Sequence, residues 1–274
     1  MRPTNGDSVQ PELQSYYRTL FEAWGRQHWW PARTRFEVIA GAYLTQNTAW
    51  TNVERALERL RAAGLLTIGG IREIRLPRLE TLIRSAGYFR QKARHLKTFV
   101  AFLDKNYGGS LNRLFAQPTE KIRQELLGLN GVGPETADSI LLYAGNRPIF
   151  VVDAYTRRVL VRHNIVTEKA TYEEIRELWE QALASLATQG ASLRQPEAKN
   201  QKAIAIPFSG HPPSPMSTAK RSSLAQIYNE MHGLIVSVGK NFCLKSHPMC
   251  EQCPLQKYLP RSGGRDSGVS RRPL

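Results

Sequence analysis

The sequence predicts an all-α fold. Apolar side chains recur at helical spacing along most of the chain, no stretch reads as a convincing strand, and 41% hydrophobic residues in a chain of 274 can fill a real core. Leu13, Tyr16, Tyr17, Leu20, Phe21 and Trp24 fall on one wide helical stripe. Phe36 to Leu44 is apolar enough for a fully buried helix. Val53, Ala56, Leu57 and Leu60 repeat the stripe, as do Leu79, Leu82, Ile83 and Ala86 ahead of a C-capping Gly87. Phe89, Ala93, Leu96, Val100 and Leu103 continue it, and further helices are expected at about 119–128, 134–145, 153–163, 171–187 and 223–240. The best strand candidate, Ile149 to Val152, is short and has no partner. Two stretches break the pattern. Residues 188–222 hold Pro196, Pro207, Pro212, Pro213 and Pro215 without periodicity and read as a flexible insertion, while 260–274 read as a disordered basic tail.

The charge balance, 38 Lys and Arg against 23 Asp and Glu, gives +15 and favours a polyanionic partner. No apolar run reaches the roughly 18 residues of a membrane helix, so no membrane partner is expected. The start, Met1 to Asp7, lacks the apolar segment of a secretory signal, which points to the cytoplasm. The three cysteines, Cys243, Cys250 and Cys253, are too few and too close for a disulfide framework and suggest a metal site in a reducing compartment.

The most informative segment, Leu126 to Leu142, reads LLGLNGVGPETADSILL. One helix ends near Leu127, a turn follows through Gly131 and Gly133, and Pro134 stands at the first position of the next helix. The glycines permit close approach of a surface, and the amides of such a turn at a helix N-terminus suit a phosphate oxygen. An ordinary helix–turn–helix corner has the same outline, but the order Leu-x-Gly-x-Gly-x-x-x-Ala in a basic helical chain is far more specific. Downstream, Asp153 precedes the Thr156-Arg157 helix as an N-cap residue would.

Taken together, Leu129 to Ala137 and Val151 to Arg158 resemble the helix-hairpin-helix DNA glycosylases of the endonuclease III superfamily. The segments Leu44 to Thr48, Gly87 to Ala93 and the spacing Cys243-x6-Cys250-x2-Cys253 are similar to family motifs as well. The resemblance spans about residues 29–259 and implies two helical subdomains. One, 33–147, would carry a wedge loop and the helix-hairpin-helix. The other, 11–32 with 148–259, would carry the cysteine loop. It implies a base-excision-repair enzyme acting on double-stranded DNA, monomeric, and in the cytoplasm at the nucleoid. The hairpin residues Leu129, Gly131, Gly133 and Thr136 would bind DNA, Gln46 and Asn47 would fill the gap left by a flipped base, and Asp153 would be catalytic. A fixed carboxylate suits that task, because breaking an N-glycosidic bond leaves an electron-deficient anomeric carbon.

Bifunctional members have a lysine two residues after the final hairpin glycine; here the residue is Glu135. A carboxylate cannot form a Schiff base, and no lysine lies between Gln124 and Asn164, although Lys240 could substitute. A monofunctional glycosylase is therefore expected, with a bifunctional glycosylase/abasic-site lyase and a non-catalytic helix-hairpin-helix binder as alternatives. Trp29, Trp30 and Pro31, with Trp50 and Glu135, are expected at the base pocket, where electron-rich indoles suit an electron-poor alkylated purine; the same tryptophans could be core anchors. The start at Trp29, the Gln46 loop and the Glu135–Asp138 run are closest to the 3-methyladenine glycosylase III branch. The cysteine spacing matches the first three ligands of the family's [4Fe–4S] loop, with Leu259 where the fourth is expected. Zinc, with His247 as an added ligand, or no metal at all remain alternatives.

Overall fold

The computed structural model describes residues 6–188 and 211–260. Helices follow one another as α1 (Gly6–Trp24), α2 (Arg35–Thr45), α3 (Trp50–Ala62), α4 (Ile68–Glu73), α5 (Leu76–Leu82), α6 (Phe89–Tyr107), α7 (Leu111–Phe115), α8 (Thr119–Leu127), α9 (Pro134–Ser139), α10 (Ala154–Arg162), α11 (Tyr172–Thr188) and α12 (Ser223–Asn241). No strand occurs among the described residues, and no helix there is long and apolar enough to cross a membrane. Ile149 to Val152 is an irregular, buried segment. Its anchor is Phe150, stacked on Trp179 with ring centroids 5.3 Å apart, an aromatic contact worth about 1 kcal/mol beyond its buried area.

Two helices are buried nearly all round. In α2, every residue from Phe36 to Leu44 is buried, and in α12 burial runs almost unbroken from Ile227 to Gly239. Around α2 pack α3, α6, α9 and its continuation, while α12 packs with α1, α10 and α11. The two groups meet where α12 touches residues 140–144, a wide-turned extension of α9 that carries Tyr143. Short helices α4 and α7 were not visible in the pattern. Each is only five or six residues long and is held by a threonine or serine N-cap, Thr67 and Ser110, not by a long apolar stripe.

One expectation needs correction. Residues 211–222 are not a free part of an insertion but a strap on the segment that carries the tryptophans. The His211 amide donates to Gln27 O at 3.0 Å, Met216 N to Ala32 O at 3.1 Å, and Ser214 Oγ to Trp30 O at 3.2 Å. Met216 and Ser217 are buried. Extended, proline-rich backbone makes such contacts without any periodicity, which is why the pattern gave no warning. Residues 189–210 of the expected insertion, and 261–274 of the expected tail, lie outside the described residues.

Candidate active site

The hairpin is built as its residues require. Helix α8 stops at Leu127, Gly131 takes φ +82°, and Pro134 opens α9. A Cβ at Gly131 would lie 2.1 Å from the buried His95 ring, so both the backbone angle and the space demand glycine there. Behind the turn, Arg123 of α8 donates to Asp138 of α9 through Nε at 2.7 Å and Nη2 at 3.1 Å. Tyr172 of α11 donates to the same carboxylate at 2.9 Å and accepts from the Val152 amide at 3.3 Å. That chain of polar contacts ties the hairpin to the residues just before Asp153.

Asp153 caps α10. Its Oδ1 accepts from Thr156 N at 2.7 Å and from Thr156 Oγ1 at 2.9 Å, satisfying the helix start. Asp153 also lines a cleft of about 750 Å³, within the range of small-molecule sites. Trp29, Trp30, Trp50, Gln46, Asn47, Gly131, Gly133, Glu135, Thr136, Tyr172, His232 and Lys240 share that cleft. Capping α10 and lining the cleft are thus compatible duties of one carboxylate.

The three tryptophans form one cluster, each pair of ring centroids 5.3 Å apart. Trp29 and Trp30 are buried and also line the cleft. Solvent reaches Glu135, but the surrounding cleft walls, with the Asp153 charge beside it, push its carboxyl up to about 7. The Lys240 ammonium stands 5.5 Å over the Trp29 ring, and burial lowers its pKa against the pull of Glu54 and Asp153.

Residues 40–185 match the family model described as HhH-GPD superfamily base excision DNA repair protein. The chain belongs to this superfamily. A protein of Methanocaldococcus jannaschii that carries the name of a DNA repair glycosylase is 40% identical over 90% of the chain and 94% of its own length. Bovine endonuclease III-like protein 1 is 26% identical over 85% of the chain, which spans 61% of that longer protein. Among solved structures, the Helicobacter pylori 3-methyladenine DNA glycosylase MagIII, bound to 1,N6-ethenoadenine, aligns with TM-score 0.64 and 26% identity, covering 86% of this chain and 97% of that one.

Against this family background, the expected site residues fall into two groups. Asp153, Gln46, Asn47, Gly131, Gly133, Thr136, Trp29, Trp30, Trp50 and Glu135 converge on the cleft. Pro31 is not among its lining residues, and the Leu129 side chain packs against the core. Gln46 reaches the hairpin, donating through Nε2 to Gly131 O at 2.8 Å and Thr136 Oγ1 at 2.9 Å, so the Gln46 loop and the hairpin are joined. Sequence reasoning missed three contributors. Lys92, off the apolar stripe of α6, is buried and donates to Leu44 O, Gln46 O, Thr48 Oγ1 and Ala86 O at 2.7 to 2.8 Å, clamping the loop from Leu44 to Thr48. Tyr88, 71% exposed at the start of α6, follows Gly87, at which a Cβ would lie 3.7 Å from Thr48 Oγ1 of that loop, and only its place in the Gly87 to Ala93 motif hinted at it. His232 gave no signal at all, since one histidine on an apolar helix reads as core.

The cysteine loop docks on the far end of α10. Arg158 Nε donates to Cys243 O at 2.6 Å, and Arg162 donates through Nη1 to Cys243 Sγ at 3.2 Å and through Nη2 to Lys245 O at 2.9 Å. Cys243, Cys250, Cys253 and Leu259 line one small cavity. Burial, then the charges of Cys243 and Cys250, push the Cys253 thiol up to about 11, which marks three sulfurs within electrostatic reach of each other. Among the described residues no three His, Cys, Asp or Glu side chains converge on a single ion position, and His247 is exposed. Three thiol side chains on one cavity are the donor chemistry of an iron–sulfur cluster, and zinc would draw on the same sulfurs. Leu259, which has no lone pair to donate, lines the cavity together with Arg162, His163 and Gln256.

Proposed function

We propose that this DNA N-glycosylase hydrolyses the N-glycosidic bond of an alkylated base rotated out of double-stranded DNA, and that it leaves an abasic site without cutting the strand. The observation that carries the reading is Asp153, which caps α10 through Oδ1 and lines a cleft walled by three indoles. A base inside duplex DNA cannot reach this carboxylate, so it must leave the stack. Gln46 and Asn47 are at hand to fill the gap. The hairpin amides would hold the phosphate backbone, and binding would weaken steeply with salt. Once the base lies among Trp29, Trp30 and Trp50, Asp153 stabilises the cationic sugar and orients the attacking water. The indoles and the two carboxyl groups, Asp153 and Glu135, favour a base with positive charge. Cys243, Cys250 and Cys253 would hold an iron–sulfur cluster as a structural part of the loop that seats α10; the reaction needs no redox step.

Lys240 favours a second reading, a lyase step, because its amine lines the same cleft and burial lowers its pKa. One experiment separates the readings. Duplexes with alkylated, oxidised, deaminated or mismatched bases are incubated with wild type, Asp153→Asn and Lys240→Met, then treated with alkali or with borohydride. Base release from alkylated duplex, strand breaks only after alkali and no borohydride adduct are expected. A covalent adduct lost in Lys240→Met would overturn the monofunctional reading. Duplex binding with no release by wild type would overturn the enzyme reading.

A further inference from the structure

The cleft face of Asp153 has a neighbour that the capping geometry does not explain. His232, on α12 and 4% exposed, points Nε2 at Asp153 Oδ2 across 3.7 Å. That Nε2 is buried and makes no hydrogen bond. On its other side, Nδ1 shares a short hydrogen bond with the Tyr143 hydroxyl, itself 1% exposed at the end of α9. The ring is flanked by apolar surface, with Phe150 edge-on at a centroid distance of 6.5 Å. The charged and titratable groups around it are few. They are Asp153 at the head of α10, Tyr143 from α9, and, at one remove, Arg221, whose charge acts on Tyr143. Burial lowers the pKa of His232 and Asp153 opposes the shift. Burial therefore favours the neutral imidazole.

A neutral imidazole has one N–H and one lone pair. If Nδ1 carried the proton, the lone pair of Nε2 would face a carboxylate oxygen and the Tyr143 proton would have no acceptor. If Tyr143 donates to Nδ1, the proton sits on Nε2 and is aimed at Asp153. Only the second arrangement pairs all three groups. The distance is longer than a hydrogen bond, as catalytic contacts are before substrate tightens them.

We propose that His232 is a positioning residue that donates Nε2–H to Asp153 Oδ2 when damaged DNA fills the cleft, with Tyr143 fixing the tautomer. Thr156 and His232 then hold the two oxygens from opposite sides, so that the carboxylate cannot rotate about its terminal torsion as the sugar cation develops. The inference rests on the glycosylase reading for its catalytic consequence, but the tautomer stands apart from it.

The test uses His232→Leu, His232→Gln and Tyr143→Phe in the full chain, with single-turnover base release, duplex affinity and melting measured for each. His232→Leu should slow release about 100-fold, the scale of losing one aligned donor, with duplex affinity within about twofold of wild type. His232→Gln keeps an N–H donor and should recover to within about tenfold, and Tyr143→Phe should fall between the two. Equal losses in Leu and Gln variants, or wild-type release by His232→Leu, would overturn the proposal. Nitrogen-15 spectra of the wild-type imidazole supply a readout that needs no substrate. The neutral Nε2–H form at pH 7 is expected, and the Nδ1–H form would refute it. Should wild type release no base from any duplex, the function reading falls, while the spectrum still decides the role of His232.

Discussion

Lys92→Met is the sharpest test of how the wedge loop is held. The substitution keeps the buried alkyl chain and removes an ammonium that donates to Leu44 O at 2.8 Å and to Gln46 O, Thr48 Oγ1 and Ala86 O at 2.7 Å. Three of these acceptors are backbone carbonyls; Thr48 Oγ1 has one proton for either Gln46 O or Ala86 O, so two carbonyls lose their side-chain donor at about 1–3 kcal/mol each. Relief from burying the ammonium offsets part of that sum, as does water entering a relaxed loop, so a net loss of about 3 kcal/mol is expected in urea unfolding. Lys97→Met is the control. Its ammonium donates to the Arg72 carbonyl at the surface, and the change should stay within about 0.5 kcal/mol. At a temperature where Lys92→Met is still folded, base release should drop by at least about tenfold, because Gln46 and Asn47 lose their fixed place. Alkaline pH offers a second readout. Burial pulls Lys92 down to about 8 from 10.5, so between those values the unfolded chain holds the proton more tightly and stability rises with pH. The clamp meanwhile has fewer protons to donate. Excision by wild type should therefore decline above pH about 8 without unfolding, and that limb should vanish in Lys92→Met. Unchanged stability and unchanged release in the variant would refute the clamp.

Three other outcomes follow from the same geometry. Gly131→Ala, at φ +82° and 2.1 Å from the His95 ring, should cost about 2–4 kcal/mol and weaken duplex binding, whereas Gly133→Ala, with open space at its Cβ, should leave the melting temperature nearly unchanged. Glu135 is raised to about 7 in the fold, so its charge works against stability as pH rises from 4.5 through 7; Glu135→Gln should melt higher than wild type at pH 8, and the gap should close by pH 4.5 in a melting series. Protein purified without oxygen should contain iron and sulfide, both lost in Cys250→Ser, and stoichiometric zinc instead would refute the cluster reading.

The features legible in the sequence were those that local chemistry writes into consecutive residues. Pro134 after Gly133 marks a helix start, Gly131 marks a backbone angle, and Asp153 ahead of Thr156 marks a cap; each is found where the sequence puts it. The long apolar stripes likewise became α1, α3, α6 and α12. The strap at 211–222 and the short helices α4 and α7 escaped because nothing periodic encodes them.

Long-range polar partners were illegible for a deeper reason. Lys92 looks like any cation on an amphipathic helix, and only the fold reveals that its ammonium ends inside, at the carbonyls of a loop brought in by α2. His232 looks like a core histidine, and it is one, yet the core position it fills lies against the one carboxylate that the family motif singles out. In both cases a buried polar group has been retained where an apolar side chain would pack without desolvation cost. A group kept at such a cost must be matched by what it holds, and what these two hold are the wedge loop and Asp153, the parts of the cleft whose orientation has to be exact to within a fraction of an ångström for catalysis. The polar residues that pattern reading assigns to the core or to a solvated face are thus where the supports of the site were hidden, and substituting them should impair base release well beyond their effect on stability.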